Sequence, residues 1–205
     1  IYSVGVGYQA LKENTSGTEN TAVGAFALDA CTTSDRNIAI GYNALTLVTT
    51  GTGNNIGIGF NAGDSITTGF YNIALGNFAL AAQTTGTGAV AIGYAALEFN
   101  TANYTVGVGY NALKANTDGT NNTAVGAFAL DTCTTSDQNT AVGYQALTAV
   151  TTGTGRNTAI GYQAGDSITT GNTNVAIGYA ALQTQTTGSG STAVGYNALA
   201  LNSAA

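Results

Sequence analysis

The reactive residue types in this chain are few. Gly-Asp-Ser occurs twice, at 63–65 and 165–167, and there are two cysteines, Cys31 and Cys133. A serine or thiol nucleophile needs a base to take its proton, most often an imidazole. The chain has no histidine, so neither a Ser-His-Asp nor a Cys-His arrangement can form within it. Both Gly-Asp-Ser copies sit among turn-forming residues, where an Asx-type hydrogen bond accounts for Asp64 and Asp166. The sequence therefore predicts no enzyme. Carboxylates are sparse, and the alternating Gly/Asp nonapeptides of calcium-binding β-rolls are missing, so no metal or cofactor is expected. Cys133 follows Cys31 by 102 positions. The coil geometry derived below sets them roughly 29 Å apart, beyond the ~7 Å that a disulfide spans between Cα atoms. Each cysteine then reads as a free thiol filling a turn or as part of a contact between chains; the first is preferred.

Charge narrows the partners. Four Lys and Arg against ten Asp and Glu give a net charge of −6, the wrong sign for gripping phosphates, so no nucleic acid is expected. No stretch reaches the ~18 apolar residues of a membrane span. The 44% hydrophobic content argues against a disordered tail. The chain opens on Ile1 rather than Met and lacks a signal-peptide pattern, which reads as a segment of a longer or processed polypeptide.

What positions these residues is a repeat. The stretch "NTAVGAFAL" at 122–130 returns as "NTAVGYQAL" (139–147), "STAVGYNAL" (191–199) and "NIAIGYNAL" (37–45). Aligned on its central glycine, the motif occurs at Gly7, Gly24, Gly41, Gly59, Gly76, Gly93, Gly109, Gly126, Gly143, Gly161, Gly178 and Gly195. The spacing is 16 to 18 residues, and the pattern of spacings repeats after 102 positions. Two six-repeat blocks follow, 1–102 and 103–205, with roughly two-thirds of aligned positions identical.

Calling the glycine position 0, only Val, Ile or Thr stands at −3, only Ala or Gly at −2, and only Val, Ile or Leu at −1. Nine of twelve residues at +1 are aromatic, Ala fills every +3 (Ala10, Ala27, Ala44, Ala112, Ala129 and Ala146 among them), and Leu fills +4 except at Gly63 and Gly165. All fourteen charges lie outside −3 to +4, in a half of the repeat rich in Thr, Asn, Gly and Ser. A β-branched, alternating apolar segment followed by turn residues is a short strand and a return. Repeated every ~17 residues, it predicts an all-β fold: a parallel β-solenoid of twelve coils, a continuous rod of roughly 57 Å at the usual strand spacing. Gly suits a bend or the close approach of another backbone.

Further expectations concern the faces. Both strand faces lack polar groups other than Thr, while a thin coil has one inside. A homo-oligomer is expected, with the small-residue face (−2, 0) meeting another chain. Where +1 is Ala or Asn, +2 is Phe: Ala25–Phe26, Asn77–Phe78, Ala127–Phe128. The ring is supplied from a neighbouring column, which favours core packing over a sugar-stacking row on the surface. Thr pairs such as Thr32–Thr33 and Thr49–Thr50 line up in one turn region. That arrangement keeps ice binding as an alternative function. Sequons at Asn14, Asn103 and Asn121 carry no weight in a chain this rich in Asn and Thr.

The recurring "NTAVGYxAL…NTTGxxNTAxGYxAL" pattern resembles repeats of bacteriophage tail fibres and related virion fibre proteins. It is also similar to the "AIG" coils in the heads of trimeric autotransporter adhesins. The resemblance covers essentially Val4 to Leu199. It implies a homotrimeric fibre, in which this segment is a stiff, protease-resistant shaft on the virion or another extracellular surface. Its implied partners are further copies of itself and other fibre or baseplate proteins, with the host receptor contacted through another region. A ~17-residue coil is longer than the usual adhesin-head coil, which favours the fibre; an adhesin head that itself binds a cell or matrix surface is the alternative. The residues expected to matter are structural: the twelve glycines and the Ala column.

Overall fold

The computed structural model describes residues 2–201, and among them there is no helix. The fold is an all-β parallel β-solenoid with twelve strands of three residues each. It divides into two compact units, 1–103 and 104–205. The first holds β1 (Val4–Val6), β2 (Thr21–Val23), β3 (Ile38–Ile40), β4 (Ile56–Ile58), β5 (Ile73–Leu75) and β6 (Val90–Ile92). The second holds β7 (Val106–Val108), β8 (Thr123–Val125), β9 (Thr140–Val142), β10 (Thr158–Ile160), β11 (Val175–Ile177) and β12 (Thr192–Val194). Within each unit, consecutive strands pair in parallel and in strict register. In the first, Ala22 lies opposite Ala39 and Ile40 opposite Ile58. In the second, Ala124 lies opposite Ala141 and Ile160 opposite Ile177. Every strand is the −3 to −1 segment of its repeat.

The core is thin and built from columns. Ala or Gly at −2, Ala at +3, Leu (twice Gly) at +4 and the residue at +7, apolar in some coils (Cys31, Val48, Ile66) and a buried amide in others (Gln83, Asn100, Asn116), point inward; Ala22, Ala27, Leu28 and Cys31 in one coil are all fully buried, as are Ala39, Ala44 and Leu45 in the next. The small-residue face of the strand is therefore the inside of the coil. The expectation that it meets another chain is corrected. Small side chains stand there because two walls of one coil approach each other closely, and the outward residues are the larger aliphatics at −3 and −1.

A chain turning this tightly must reverse its peptide direction often. Each coil does so with left-handed residues. Position +2 has positive φ throughout, as at Phe26 (61°), Asn43 (54°) and Gln145 (53°), and +4 does the same at Leu28 (49°), Leu45 (50°) and Leu147 (52°). Leucine rarely adopts this conformation, at a cost of about 1–2 kcal/mol per residue. The flipped peptides gain bonds to neighbouring coils in return. The Phe26 N–H donates to the Tyr8 carbonyl of the preceding coil (2.8 Å), and the Leu28 N–H donates to the Ala44 carbonyl of the following one (3.1 Å). Alternating left-handed residues thus aim successive N–H groups at alternate neighbours. Three tight turns close within the coil: Ala27 N–H to Gly24 carbonyl, Asp29 N–H to Phe26 carbonyl and Cys31 N–H to Leu28 carbonyl.

The invariant glycine sits where the strand enters the first of these turns. Gly126 has φ +138°, and a Cβ placed there would lie under 3.0 Å from the carbonyl carbon and oxygen of Gly143 in the next coil. Gly143 stands in the same relation to Gly161. Within each unit, a glycine followed by another coil excludes a side chain because the next glycine's backbone fills the space, as at Gly24, Gly41, Gly126 and Gly161. Gly126→Val should therefore destabilise the second unit by about 3 kcal/mol or more, through backbone strain and a clash with fixed backbone. Gly190 also has positive φ (+71°) but meets nothing within 4 Å, so Gly190→Asn, an amide that tolerates this region, should be nearly neutral. Urea denaturation of the two variants checks this; equal losses would contradict it.

Candidate functional site

Among the described residues there is no cavity and no group of three or more His, Cys, Asp or Glu placed to hold an ion. What the coils present instead is columns, and each predicted residue is placed in one. Ala27, Ala44, Ala112, Ala129 and Ala146 are fully buried, and Ala10, in the first coil, is partly covered. Asp166 is half-buried beside Ser167, whose hydroxyl lies 3.4 Å from its carboxylate. Asp64 is likewise half-buried, with an inward Oδ1 that no group bonds. Burial pushes both carboxyls above their ordinary range. In contrast, the backbone N–H and hydroxyl of Thr18 hold Asp35 below it; the N–H lies 2.6 Å from the carboxylate.

Cys31 and Cys133 are buried, unpaired thiols. The Cys31 sulfur faces the Ser34 carbonyl (3.5 Å), and Cys133 faces that of Ser136 (3.6 Å). Burial raises both, Cys133 to about 12. A thiol held in its neutral form is a poor nucleophile, and both sit in the inward +7 column that Val48 and Ile66 fill in other coils. Asn14 of the first sequon is turned onto its own loop, donating to the Gly17 carbonyl at 3.0 Å.

The Thr column at +8 is also committed to the backbone. The hydroxyls of Thr15, Thr32 and Thr67 donate to the carbonyls of Thr32, Thr49 and Thr84 in the following coils (3.0, 2.9 and 3.2 Å). Thr134 and Thr169 repeat the bond to Thr151 and Thr186 in the second unit. The neighbouring +9 residues, such as Thr33, Thr50 and Thr68, are exposed.

One column was not singled out in the sequence. Four residues before the glycine stand Asn20, Asn37, Asn55 and Asn72 in the first unit and Asn122, Asn139, Asn157 and Asn174 in the second, all buried. Each side-chain oxygen accepts the backbone N–H of the next coil's −4 residue: Asn37 to Asn20 at 2.9 Å, Asn55 to Asn37 at 3.1 Å, Asn72 to Asn55 at 3.0 Å. The second unit repeats the ladder from Asn122 to Ser191. Most of the amide NH2 groups reach the −7 carbonyl of the next coil, as Asn20 reaches Ser34 (2.7 Å) and Asn72 reaches Gly86 (2.8 Å). A left-handed residue at −5 (Arg36, φ 57°; Asn54, φ 57°) turns the −4 N–H inward, where only a side chain of the preceding coil can receive it. The signal was available: Asn precedes the strand in eight of the twelve repeats.

The aromatic rings form an exposed row rather than part of the core, which corrects the core-packing expectation. In the first unit Tyr8, Phe26, Tyr42, Phe60, Phe78 and Tyr94 follow one another with centroids 5.4 to 5.9 Å apart. Phe26 and Phe78, reaching in from +2, fill the gaps left by Ala25 and Asn77, mostly edge to face. In the second unit Tyr144, Tyr162, Tyr179 and Tyr196 stack nearly parallel, 5.1 to 5.3 Å apart. In this stacked stretch the ring faces are turned to one another, so it offers ring edges and hydroxyls outward. Beside it runs a short amide ladder, with the Gln163 NH2 donating to the Gln145 oxygen at 2.9 Å.

These features define a repeat protein whose side chains serve the column they stand in. Comparison with protein families, with curated proteins and with solved structures finds no match to this chain.

The raised carboxyls carry a pH dependence with a definite sign. A folded-state carboxyl above its unfolded value of about 4 costs no stability below that value. It becomes costly as pH climbs through the raised one. Asp64→Asn and Asp166→Asn should therefore raise the melting temperature at pH 7, with the gain vanishing near pH 3. A gain that persists unchanged at pH 3 would place its origin elsewhere than in the buried charge.

Proposed function

We propose that this chain is a structural segment of a viral, and specifically a phage, tail fibre, working as part of a homotrimeric shaft that carries a receptor-binding region towards a host surface. Its location is then the virion. Its partners are further copies of itself and other fibre or baseplate proteins, with the host receptor engaged through another region. The observation that carries this reading is the coil-to-coil bonding. Within each unit, strand pairing, left-handed turns, the Asn ladder and the Thr column tie one coil to the next at many points. Such a design is suited to stiffness and length rather than to turnover. The repeat's resemblance to virion fibre sequences supplies the biological setting.

The two other readings draw on different parts of the molecule. An adhesin head would use the same coils but bind a cell or matrix surface itself. Ice binding would use the Thr turns, yet the +8 hydroxyls of Thr15, Thr32, Thr67, Thr134 and Thr169 already donate to carbonyls of the next coil. The Thr column thereby has a structural explanation of its own.

Antibodies raised against the recombinant chain, used for immunogold electron microscopy on virions and cells of the source, separate these readings. Label along virion fibres is the expected result. Label confined to a cell envelope would overturn the proposal in favour of an adhesin.

A further inference from the structure

The outward strand face raises a problem that the coil does not solve. Position −2 is inside, so −3, −1 and +1 point away from the core, and +1 is a ring in nine of the twelve coils. On the first unit Val6, Ile40, Tyr42, Ile58 and Phe60 are between 38 and 57% exposed and form one strip with their equivalents in neighbouring coils. An aromatic side chain carries roughly 150–250 Å² and a Val or Ile roughly 100 Å². Counting only residues more than a third exposed, the strip on this unit comes to roughly 700 Å² of apolar surface. The largest apolar patch on a typical monomer is about 300–600 Å², and a stable protein interface takes about 800 Å² from each partner.

Composition points the same way. None of the fourteen charges occurs between −3 and +4, so covering this face strands no ion in a low-dielectric contact. The charges lie on the returns, where a polar rim belongs. The strip is regular, because parallel in-register pairing repeats the same residue types at each step. A second surface with the same repeat matches it coil by coil, whereas an irregular globular partner would not. The second unit carries a more polar version: its −3 column reads Val, Thr, Thr, Thr, Val, Thr, while that of the first reads Val, Thr, Ile, Ile, Ile, Val.

We infer that the outward −3, −1 and +1 face of the coils, centred on Ile40, Tyr42, Ile58 and Phe60 of the first unit, is the surface on which copies of this chain pack against one another. The inference rests on the assembled-fibre reading above and assigns the face that assembly uses. It places the aliphatic and aromatic face at the contact, in place of the small-residue face.

The test is molar mass by light scattering of the full chain, alongside far-UV circular dichroism, for the parent and two variants. Ile40→Lys/Ile58→Lys puts two charges in the strip on outward positions. Ile38→Thr/Ile56→Thr is milder and safe for the fold, because Thr already stands in that column at Thr21, Thr123 and Thr140. The parent is expected at a multiple of its 20.3 kDa. The Lys variant should fall to the single-chain mass with an unchanged spectrum, and the Thr variant should need at least tenfold higher concentration to assemble. Should the Lys variant lose its fold, the Thr variant decides. Variants that assemble like an oligomeric parent would overturn the assigned face and leave the fibre reading standing. A parent at the single-chain mass would overturn the interface and remove the trimer from the fibre reading with it.

Discussion

Everything in this molecule depends on one constraint: a coil of ~17 residues cannot satisfy its own backbone. It is too thin to contain a helix, and each of its strands is an edge until a neighbour pairs with it. Hydrogen bonds must therefore run between coils, and the residue at each position must tolerate its own kind directly above and below. That requirement explains the glycine column, in which each Gly leaves room for the next one's carbonyl. It explains why left-handed leucines are tolerated at +4, since the unusual φ aims an N–H at the adjacent coil. It also explains the Asn ladder, in which a buried amide such as Asn20 accepts the Asn37 N–H and donates to the Ser34 carbonyl of the following turn. Stability is then shared among neighbouring coils rather than concentrated in a large core.

The same constraint separates inside from outside. With Ala or Gly at −2 and Ala at +3, the two walls of a coil meet with little between them but Leu and the +7 side chain. Bulk is excluded from the interior and appears on the exterior, as valines, isoleucines and rings. An exterior of this kind is unusual for a chain that stays alone in water. The protein thus combines a self-sufficient interior with an apolar outer face, the face on which the proposed packing of copies rests. The aromatic row serves the stacking of coils as well, since each ring packs on the rings of adjacent coils.

Much of this was legible in the sequence. The period, the strand at −3 to −1, the parallel stack and the role of the glycine all follow from identical residues recurring at fixed spacing. Position +2 was legible as the site of the supplied ring, because Phe26, Phe78 and Phe128 compensate for Ala25, Asn77 and Ala127. Which strand face turned inward was not legible. Alternation shows that two faces differ but not which one the return leg covers, and small residues suit a coil interior as well as a contact between chains. The place of the rings was not legible for a related reason: packing of ring on ring needs a regular column, and a regular surface provides one. The Asn column was overlooked because asparagine before a strand reads as turn chemistry. Its second use, receiving an N–H from the next coil, depends on the left-handed −5 residue, which sequence alone does not reveal.

Hydrogen–deuterium exchange resolved to single amides tests the coil-to-coil account most directly. The backbone N–H groups of Asn37, Asn55, Asn72, Asn139, Asn157 and Asn174 lie outside the strands and would exchange quickly if they were ordinary turn amides. Held by the Asn side chain of the preceding coil, they are predicted to exchange as slowly as the strand amides beside them, in a pattern that repeats with the coil. Fast exchange at these positions, with protection confined to the three-residue strands, would contradict the claim that side-chain columns bind one coil to the next.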